Sequence, residues 1–137
     1  MSVSTTEGNS IGSEIMGGTA HAAVATWHVA LFTASPGVGG SATNEITGGG
    51  YARVAVTNNA TNFPAMASLA GANGTAIAFP TVTAGGYSGT VTHLGLCAST
   101  TEGTNDVRHY GALTAPFLAV VGQIPTFAIG AMTWSVA

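Results

Sequence analysis

The stretch Thr90–Ala98, which reads TVTHLGLCA, decides the fold class of this chain. Its side chains alternate between two faces, and one face would carry Val91, His93, Gly95 and Cys97. The stretch Trp27–Phe32 (WHVALF) alternates in the same way, with one face for a core and one for a neighbour. Strict alternation of this kind is typical of β-strands that are buried on at least one face.

Further short strands are predicted on both sides of these two, separated by glycine and proline turns. They are Tyr51–Thr57, Thr75–Phe79, Val107–Leu113, Phe117–Val121, Thr126–Ile129 and Met132–Val136, with a long polar loop at Asn58–Gly74. No helix-length crossover separates them, which disfavours a parallel sheet. The sequence therefore predicts an all-β fold, an antiparallel β-sandwich or jelly-roll-like barrel.

One short helix is expected near the start, at Ile11–Met16, because Asn9 and Ser10 can cap it and glycines follow it. The residues before it, Met1–Ser10, are interpreted as an N-terminal arm that reaches outward to a neighbour. The whole chain, residues 1–137, is expected to form a single β-rich domain, since its length lies in the range of one domain.

The charge count excludes several classes of partner. Only seven residues are charged, 5% of the chain, against roughly 25% in an average soluble domain. Both cations are arginines, and a net charge of −3 cannot neutralise a row of phosphates or an anionic membrane surface. The uncharged stretches Ile15–Phe32 and Tyr110–Ala137 are interrupted by polar residues, glycine or proline, so no membrane span is expected.

The same lack of charge points to self-association. Net charge and charged strand edges are the usual protection against aggregation, and this chain has little of either. We therefore predict a homo-oligomer, a trimer, whose hydrophobic contacts use the uncharged segment Phe117–Val136. Within that segment the expected interface residues are Phe117, Val121, Phe127 and Ile129.

No catalytic, cofactor or metal site is predicted. Cys97 is the single cysteine, which excludes an intrachain disulfide and fits assembly in a reducing cytoplasm. His93 and Cys97, with Asp106 and His109 in the next segment, lack the compact spacing of a zinc site, and no nucleophile lies in a catalytic motif. Met1–Gly8 has no basic residue and no apolar run, so no secretory signal is expected.

The residues around Gly48–Gly50 form a candidate structural site. Glu45 precedes this glycine triplet and Arg53 follows it, so the two side chains can pair across the turn and hold the loop. Two alternatives stay open at this stage: a pairing with another subunit, which suits the guanidinium fork, and a solvated pair of negligible energy.

Several motifs resemble a small family of structural proteins of tailed bacteriophages, commonly labelled tail fibre or minor tail proteins. The similar segments, in order, are Leu31–Pro36, Gly39–Glu45, Gly48–Val54, Ile77–Pro80, Gly89–Gly95 and Tyr110–Thr114. The resemblance runs from about Ile11 to the C-terminus. Where the family usually has charged residues, this chain has Phe117 and the segment Val121–Pro125, which suggests a surface that faces protein.

The resemblance implies a non-enzymatic virion structural protein that is assembled in the host cytoplasm. Its partners would be its own copies and either the major capsid protein or tail proteins. Sequence reasoning favours a capsid decoration or cement protein on the outside of the head shell, and a tail fibre or minor tail protein is the alternative. A third hypothesis, a carbohydrate-binding module, would need an exposed aromatic platform at Trp27 or Tyr87.

Overall fold

The computed structural model describes residues 1–135. These residues form one helix, α1 (Thr5–Gly17), and nine strands. The strands are β1 (Ser2–Val3), β2 (Thr26–Phe32), β3 (Val54–Thr57), β4 (Ala70–Ala72), β5 (Ile77–Ala78), β6 (Val91–Cys97), β7 (Val107–Phe117), β8 (Thr126–Phe127) and β9 (Thr133–Ser135).

Five of the strands form one antiparallel sheet in the order β1-β7-β6-β2-β3. The strand predicted from Thr90–Ala98, β6, lies at its centre, and its Gly95 pairs with Ala30 on one side and Tyr110 on the other. The predicted all-β fold with one helix near the N-terminus is confirmed.

Two short ribbons, β4–β9 and β5–β8, form the second layer. Together with the loops around them they pack onto one face of the main sheet, where Ile77 and Phe79 meet Val29, Leu31 and other apolar residues of the sheet. The sandwich is therefore unequal, with one broad sheet opposite a layer of ribbons and loops.

Successive side chains of a β-strand point to opposite faces of the sheet, and the apolar residues of the main sheet are divided between its two faces in this way. On β2, Val29 and Leu31 point into the main core, whereas Ala30 and Phe32 join a smaller cluster behind the sheet, together with Cys97. The central strands β2 and β6 thus carry buried side chains on both faces.

An irregularity in the pairing of β6 with β7 accompanies a change of face for one residue. The register shifts between Val91 and His93, where the partner changes from Phe117 to Ala112, so the extra residues lie on β7. A bulge of this kind interrupts strict alternation, so Val91 belongs to the main core with Leu94. The prediction that Val91 shares a face with Cys97 is wrong for this reason.

Other boundaries also differ from the sequence prediction. Val107–Leu113 and Phe117–Val121 were expected as separate strands, but β7 continues without a break to Phe117 and ends there. Proline is tolerated in β7 because Pro116 lies in the irregular stretch between Ala112, which pairs with His93, and Phe117, which pairs with Val91. The predicted loop Asn58–Gly74 contains β4, and Val136, the end of the last predicted strand, lies outside the described residues.

The first ten residues do not form an outward arm. β1 pairs with β7, Ser4 caps α1 and accepts a hydrogen bond from the Glu7 N–H, and α1 then runs from Thr5 to its left-handed C-cap at Gly18. The helix is longer than the predicted Ile11–Met16 because Ser4 provides an earlier cap than Asn9 or Ser10. No helix among residues 1–135 has the length and apolar character needed to cross a membrane.

The central position of Gly95 gives a test of this packing. A Cβ at Gly95 would lie 2.9 Å from Phe32 Cε2 and 2.9 Å from Val107 Cγ1, whereas a Cβ at Gly12 in α1 meets nothing within 4 Å. We expect Gly95→Ala to lower the free energy of unfolding by about 1–3 kcal/mol. Gly12→Ala, the matched control, should raise it by about 0.5–1 kcal/mol. Urea denaturation measures both, and a neutral Gly95→Ala would contradict the packing described here.

Candidate functional site

The main polar feature of the structure is a buried ion pair between Arg53 and Glu45. Arg53 Nε donates to Glu45 Oε1 at 2.8 Å, and Nη2 donates to Oε2 at 2.8 Å, so the two groups form a bidentate fork. The Arg53 side chain is 0% exposed and that of Glu45 is 3% exposed. Of the alternatives that the sequence left open, the solvated pair is wrong, and the pairing occurs within one chain.

The remaining donors and acceptors of this pair are also used. Arg53 Nη1 donates to Asp106 Oδ1 and to the Ser99 carbonyl oxygen, both at 2.9 Å, and Nη2 donates to the Thr104 carbonyl oxygen at 3.2 Å. The Gly103 N–H donates to Glu45 Oε2 at 2.8 Å. We call Glu45, Arg53 and Asp106 the Arg53 cluster; it fixes the loop between β6 and β7 onto the segment that precedes β3.

A buried tyrosine connects the Arg53 cluster to the main sheet. The Tyr51 hydroxyl donates to Glu45 Oε1 at 2.9 Å and accepts from the Leu31 N–H at 3.0 Å. Burial, reinforced by the nearby Glu45 carboxylate, raises the pKa of Tyr51 far above its ordinary value. The hydroxyl therefore stays protonated and keeps its donor role.

The glycine triplet explains why these residues meet. Gly48, Gly49 and Gly50 all have positive φ, at 75°, 58° and 71°. A Cβ at Gly49 would lie 2.7 Å from the Gly86 carbonyl oxygen. Only glycine combines this conformation with so close an approach, and the resulting turn brings Arg53 back to Glu45.

The environment of the Arg53 cluster favours a structural role over participation in a reaction. Burial alone would lower the pKa of Arg53, but the hydrogen bonds and charge of Glu45, with Asp106, raise it above its ordinary value, so the guanidinium keeps its charge. Burial also raises the pKa of the neighbouring Cys97 thiol to about 12. A protonated, buried thiol is not a nucleophile.

Sequence reasoning missed a second set of interacting ionisable side chains. We call it the Glu7 cluster, and it consists of Glu7, His21, Arg108 and His109. The buried Glu7 carboxylate lies 3.1 Å from His21 Nε2, 3.3 Å from Arg108 Nη1 and 3.9 Å from His109 Nε2. The sequence contained a usable signal, because Ser4 and Glu7 have the spacing of a helix capping box. Here the Glu7 side chain instead connects α1 to β7.

The Glu7 cluster includes a serine–histidine–carboxylate relay, since Ser10 Oγ lies 2.6 Å from His21 Nδ1. Acyl transfer needs hydrogen-bond donors beside the nucleophile, often backbone N–H groups. Ser10 lies inside α1 (Thr5–Gly17), where the backbone N–H groups around it are used in helical hydrogen bonds. The relay holds the segment after α1 against the helix.

The predicted interface residues differ in how far they are exposed, and their role in an interface stays a prediction. Phe117 and Phe127 contact each other with ring centroids 6.5 Å apart and pack, partly buried, against the main core. Val121 is exposed in the loop after β7, and Ile129 is exposed beside a different cleft that Trp134 lines. Glu45 and Arg53 offer almost no side-chain surface, so they can influence an interface only through the loops they hold.

The structure also shows where the other candidate site residues from the sequence lie. His93 and Cys97 lie on β6 opposite Phe32 and His28, and among residues 1–135 no group of three or more His, Cys, Asp or Glu side chains is arranged to hold a metal ion. Trp27 and Tyr87 belong to the main core. Neither can therefore provide the exposed aromatic platform that a carbohydrate-binding module would need.

Because Arg53 is the cation of the Arg53 cluster, its removal is expected to destabilise the fold strongly. Arg53→Ala leaves two carboxylates without their partner, so we expect the free energy of unfolding to fall by about 3–5 kcal/mol. Arg108→Ala is the matched control: its side chain is partly exposed and Glu7 keeps its histidine partners, so we expect a loss of about 1 kcal/mol. Denaturant unfolding measures both, and equal losses would contradict the central role of Arg53.

The Glu7 cluster predicts a pH dependence through His109. Burial lowers the pKa of His109 below its ordinary 6.5, and this effect outweighs the attraction of Glu7. The unfolded chain therefore takes up a proton before the folded chain does, so stability is lost as the pH falls below about 6.5. Between about pH 7.5 and 5.5, His109→Gln should lose less stability than the wild type. Identical pH profiles for the two proteins would refute this assignment.

Comparison with known proteins assigns the chain to a family. Residues 2–135 match the family described as podophage GP4 fiber I protein gp80. None of the curated proteins compared with it matches significantly. The match covers almost the entire chain and confirms the resemblance to structural proteins of tailed phages. The protein whose glycine turn, buried ion pair and unequal β-sandwich are described above therefore belongs to the podophage GP4 fiber I protein gp80 family.

Proposed function

We propose that this protein is a non-enzymatic structural subunit of a phage virion, built into a fibre-type appendage and working as an assembly of its own copies. The name of the family supports the fibre role. Sequence reasoning alone favoured head decoration, and the family name shifts the preference to the fibre.

The observation that carries this proposal is the near absence of exposed charge. Of the seven charged residues, five belong to the Arg53 and Glu7 clusters, where they are buried or partly buried. The two exposed charged residues among 1–135 are Glu14 and Glu102. A surface this neutral has little protection against association, which suits a subunit whose surface is covered in an assembly.

The same distribution argues against charged partners. Arg53 is enclosed, and Arg108 is engaged with Glu7, so neither arginine contributes to a basic patch for nucleic acid or anionic lipid. The partners proposed here are copies of the chain, in a trimer, and neighbouring virion proteins. A free thiol at Cys97 is compatible with assembly in the host cytoplasm.

Head decoration is the second candidate, and the shape of the chain favours it. Residues 1–135 form a unit of strands of up to 11 residues with one helix of 13 residues, without the long coiled coil or stacked repeats of an elongated shaft. A unit of this kind could cover a junction on a shell. Its partner would then be the major capsid protein rather than a tail protein.

Light scattering of the purified protein tests the assembly. We expect an oligomer at micromolar concentration that persists in about 1 M salt, because hydrophobic contacts are not screened as surface ion pairs are. A monomer under these conditions would remove the self-assembly part of the proposal.

The location in the virion requires a separate measurement. Immunogold labelling of intact particles with antibodies against the purified protein should decorate the tail or its appendages. Labelling of the head shell would replace the fibre role by the decoration role, and the absence of label on intact and disrupted virions would contradict both.

A further inference from the structure

Residues 1–21 are folded as one unit, which we call the N-terminal segment. It contains β1, α1 and the first residues after the helix. His21 Nδ1 lies 2.6 Å from Ser10 Oγ, and His21 Nε2 lies 3.1 Å from Glu7 Oε1. Because both contacts fold the chain after α1 back onto the helix, the N-terminal segment can move as a single body.

The connection between the N-terminal segment and β2 is short and exposed. Ala22 and Ala23 are exposed and lie outside any helix or strand. Beyond them the chain is fixed again, because the Asn58 side chain donates to the Val24 carbonyl oxygen at 2.8 Å. Ala22 and Ala23 therefore form a hinge between two ordered units. Short hinges of this kind favour the exchange of a terminal element between copies.

The N-terminal segment contacts parts of the chain that are remote in the sequence. Ser2 and Val3 pair with β7, and the Ser4 N–H donates to the Arg108 carbonyl oxygen at 2.7 Å. Arg108 Nη1 also donates to Glu7 Oε2 at 3.3 Å. These partners all lie on β7, so the β7 strand of a neighbouring copy offers the same set of contacts.

The charges of the chain leave Glu7 one arginine as a partner. The chain contains two cationic residues of the Lys and Arg type, Arg53 and Arg108. The Arg53 side chain is enclosed and pairs with Glu45 and Asp106. The guanidinium that can receive Glu7, in its own copy or in another, is therefore Arg108. The pairing of β1 with β7 then fixes the direction of the segment on the acceptor strand.

The apolar contact beneath the N-terminal segment is incomplete. A cleft of about 410 Å³ lies between the segment and the main core, and its lining includes Met1, Val3 and Ile11 of the segment and Trp27 and Leu96 of the sheet. Well-packed interiors contain few spaces of this size. Within α1, Glu7 is the residue whose side chain is buried. Lifting the segment from β7 therefore breaks mainly polar contacts and leaves the central strands in place.

We propose that the N-terminal segment is exchanged between copies, so that β1 and α1 of one copy bind β7 of a neighbouring copy. This inference rests on the self-assembly in the proposed function and names the element that joins the copies. The segment stays folded in both arrangements, and in the exchanged one Glu7 pairs with the Arg108 of the neighbour. Each copy gives one segment and receives one, which closes a ring of three in the proposed trimer.

The length of the hinge restricts the exchange to copies that touch each other. When fully extended, the three steps from His21 to Val24 span about 10 Å. Exchange conserves the contacts that the segment makes within one chain, and the assembly supplies the high local concentration that a contact between chains needs. A dilute monomer therefore keeps its own segment, and the exchanged arrangement belongs to the oligomer.

Engineered disulfides distinguish the two arrangements. Ser2 and Tyr110 are opposed in the pairing of β1 with β7, and opposed residues of antiparallel strands have a Cα separation that a disulfide can bridge. The test variant is Ser2→Cys with Tyr110→Cys. The matched control is Thr26→Cys with Thr57→Cys, because this opposed pair joins β2 to β3 on one side of the hinge. Burial raises the pKa of the native Cys97 thiol to about 12, so Cys97 does not compete for oxidation.

Both proteins are oxidised as assembled oligomers and then separated on a denaturing gel without reductant. We expect the control to run as a single chain and the test variant as a covalent trimer, because each cysteine at position 2 meets the cysteine at position 110 of a neighbour. The two single variants, Ser2→Cys and Tyr110→Cys, provide a second measurement. When they are co-expressed they should give a covalent pair with one copy of each, whereas either one alone should stay free of cross-links.

Two results would overturn the exchange and leave the proposed function in place. One is a test variant that forms the oligomer in light scattering but runs on the gel as single, internally cross-linked chains. The other is a co-expressed oligomer of the single variants that contains no mixed covalent pair. A monomeric wild type would instead remove the self-assembly and the exchange together.

Discussion

The bidentate pair between Arg53 and Glu45 is the interaction on which the arrangement of the loops depends. Isolated charges are too costly to bury, so the guanidinium and the carboxylate can lie inside this domain only when each satisfies the other. Once paired, they also use the Gly103 N–H and the Thr104 carbonyl oxygen of the loop between β6 and β7. Tyr51 then connects the same carboxylate to the central sheet. The buried pair of Arg53 and Glu45 thereby holds together the loop between β6 and β7, the glycine turn and the main sheet.

The two internal clusters also explain the character of the surface. They contain five of the seven charged residues of the chain. Most of its few charges therefore form ion pairs that stabilise the fold. The outside is left nearly neutral, with Glu14 and Glu102 as the exposed charges among the described residues. A protein of this design is suited to a crowded assembly, in which neighbours cover its apolar side chains, and the membership in a phage fibre family agrees with that role.

The N-terminal segment shows how polar attachment can free apolar residues for another use. A typical surface helix buries its apolar stripe against its own domain. In α1 the buried contact comes instead from Glu7, and Ile15 and Met16 remain exposed. The segment that the sequence had assigned to a detached arm is thus joined to the domain at its start, through β1 and Glu7, and exposes apolar side chains at the end of α1.

The sequence by itself determined the class of the fold and the composition of the surface. Alternation in Trp27–Phe32 and Thr90–Ala98 identified the two central strands, because a period of two is a local property of the chain, and the charge count is independent of any fold. The tertiary structure decided what depends on distant residues. The irregular pairing between β6 and β7 beside Val91 placed this residue on the other face. Asp106 joined Arg53 from 53 residues away, and Arg108 joined Glu7 from 101 residues away. Such partners follow from how the strands lie against one another, and no local pattern encodes them.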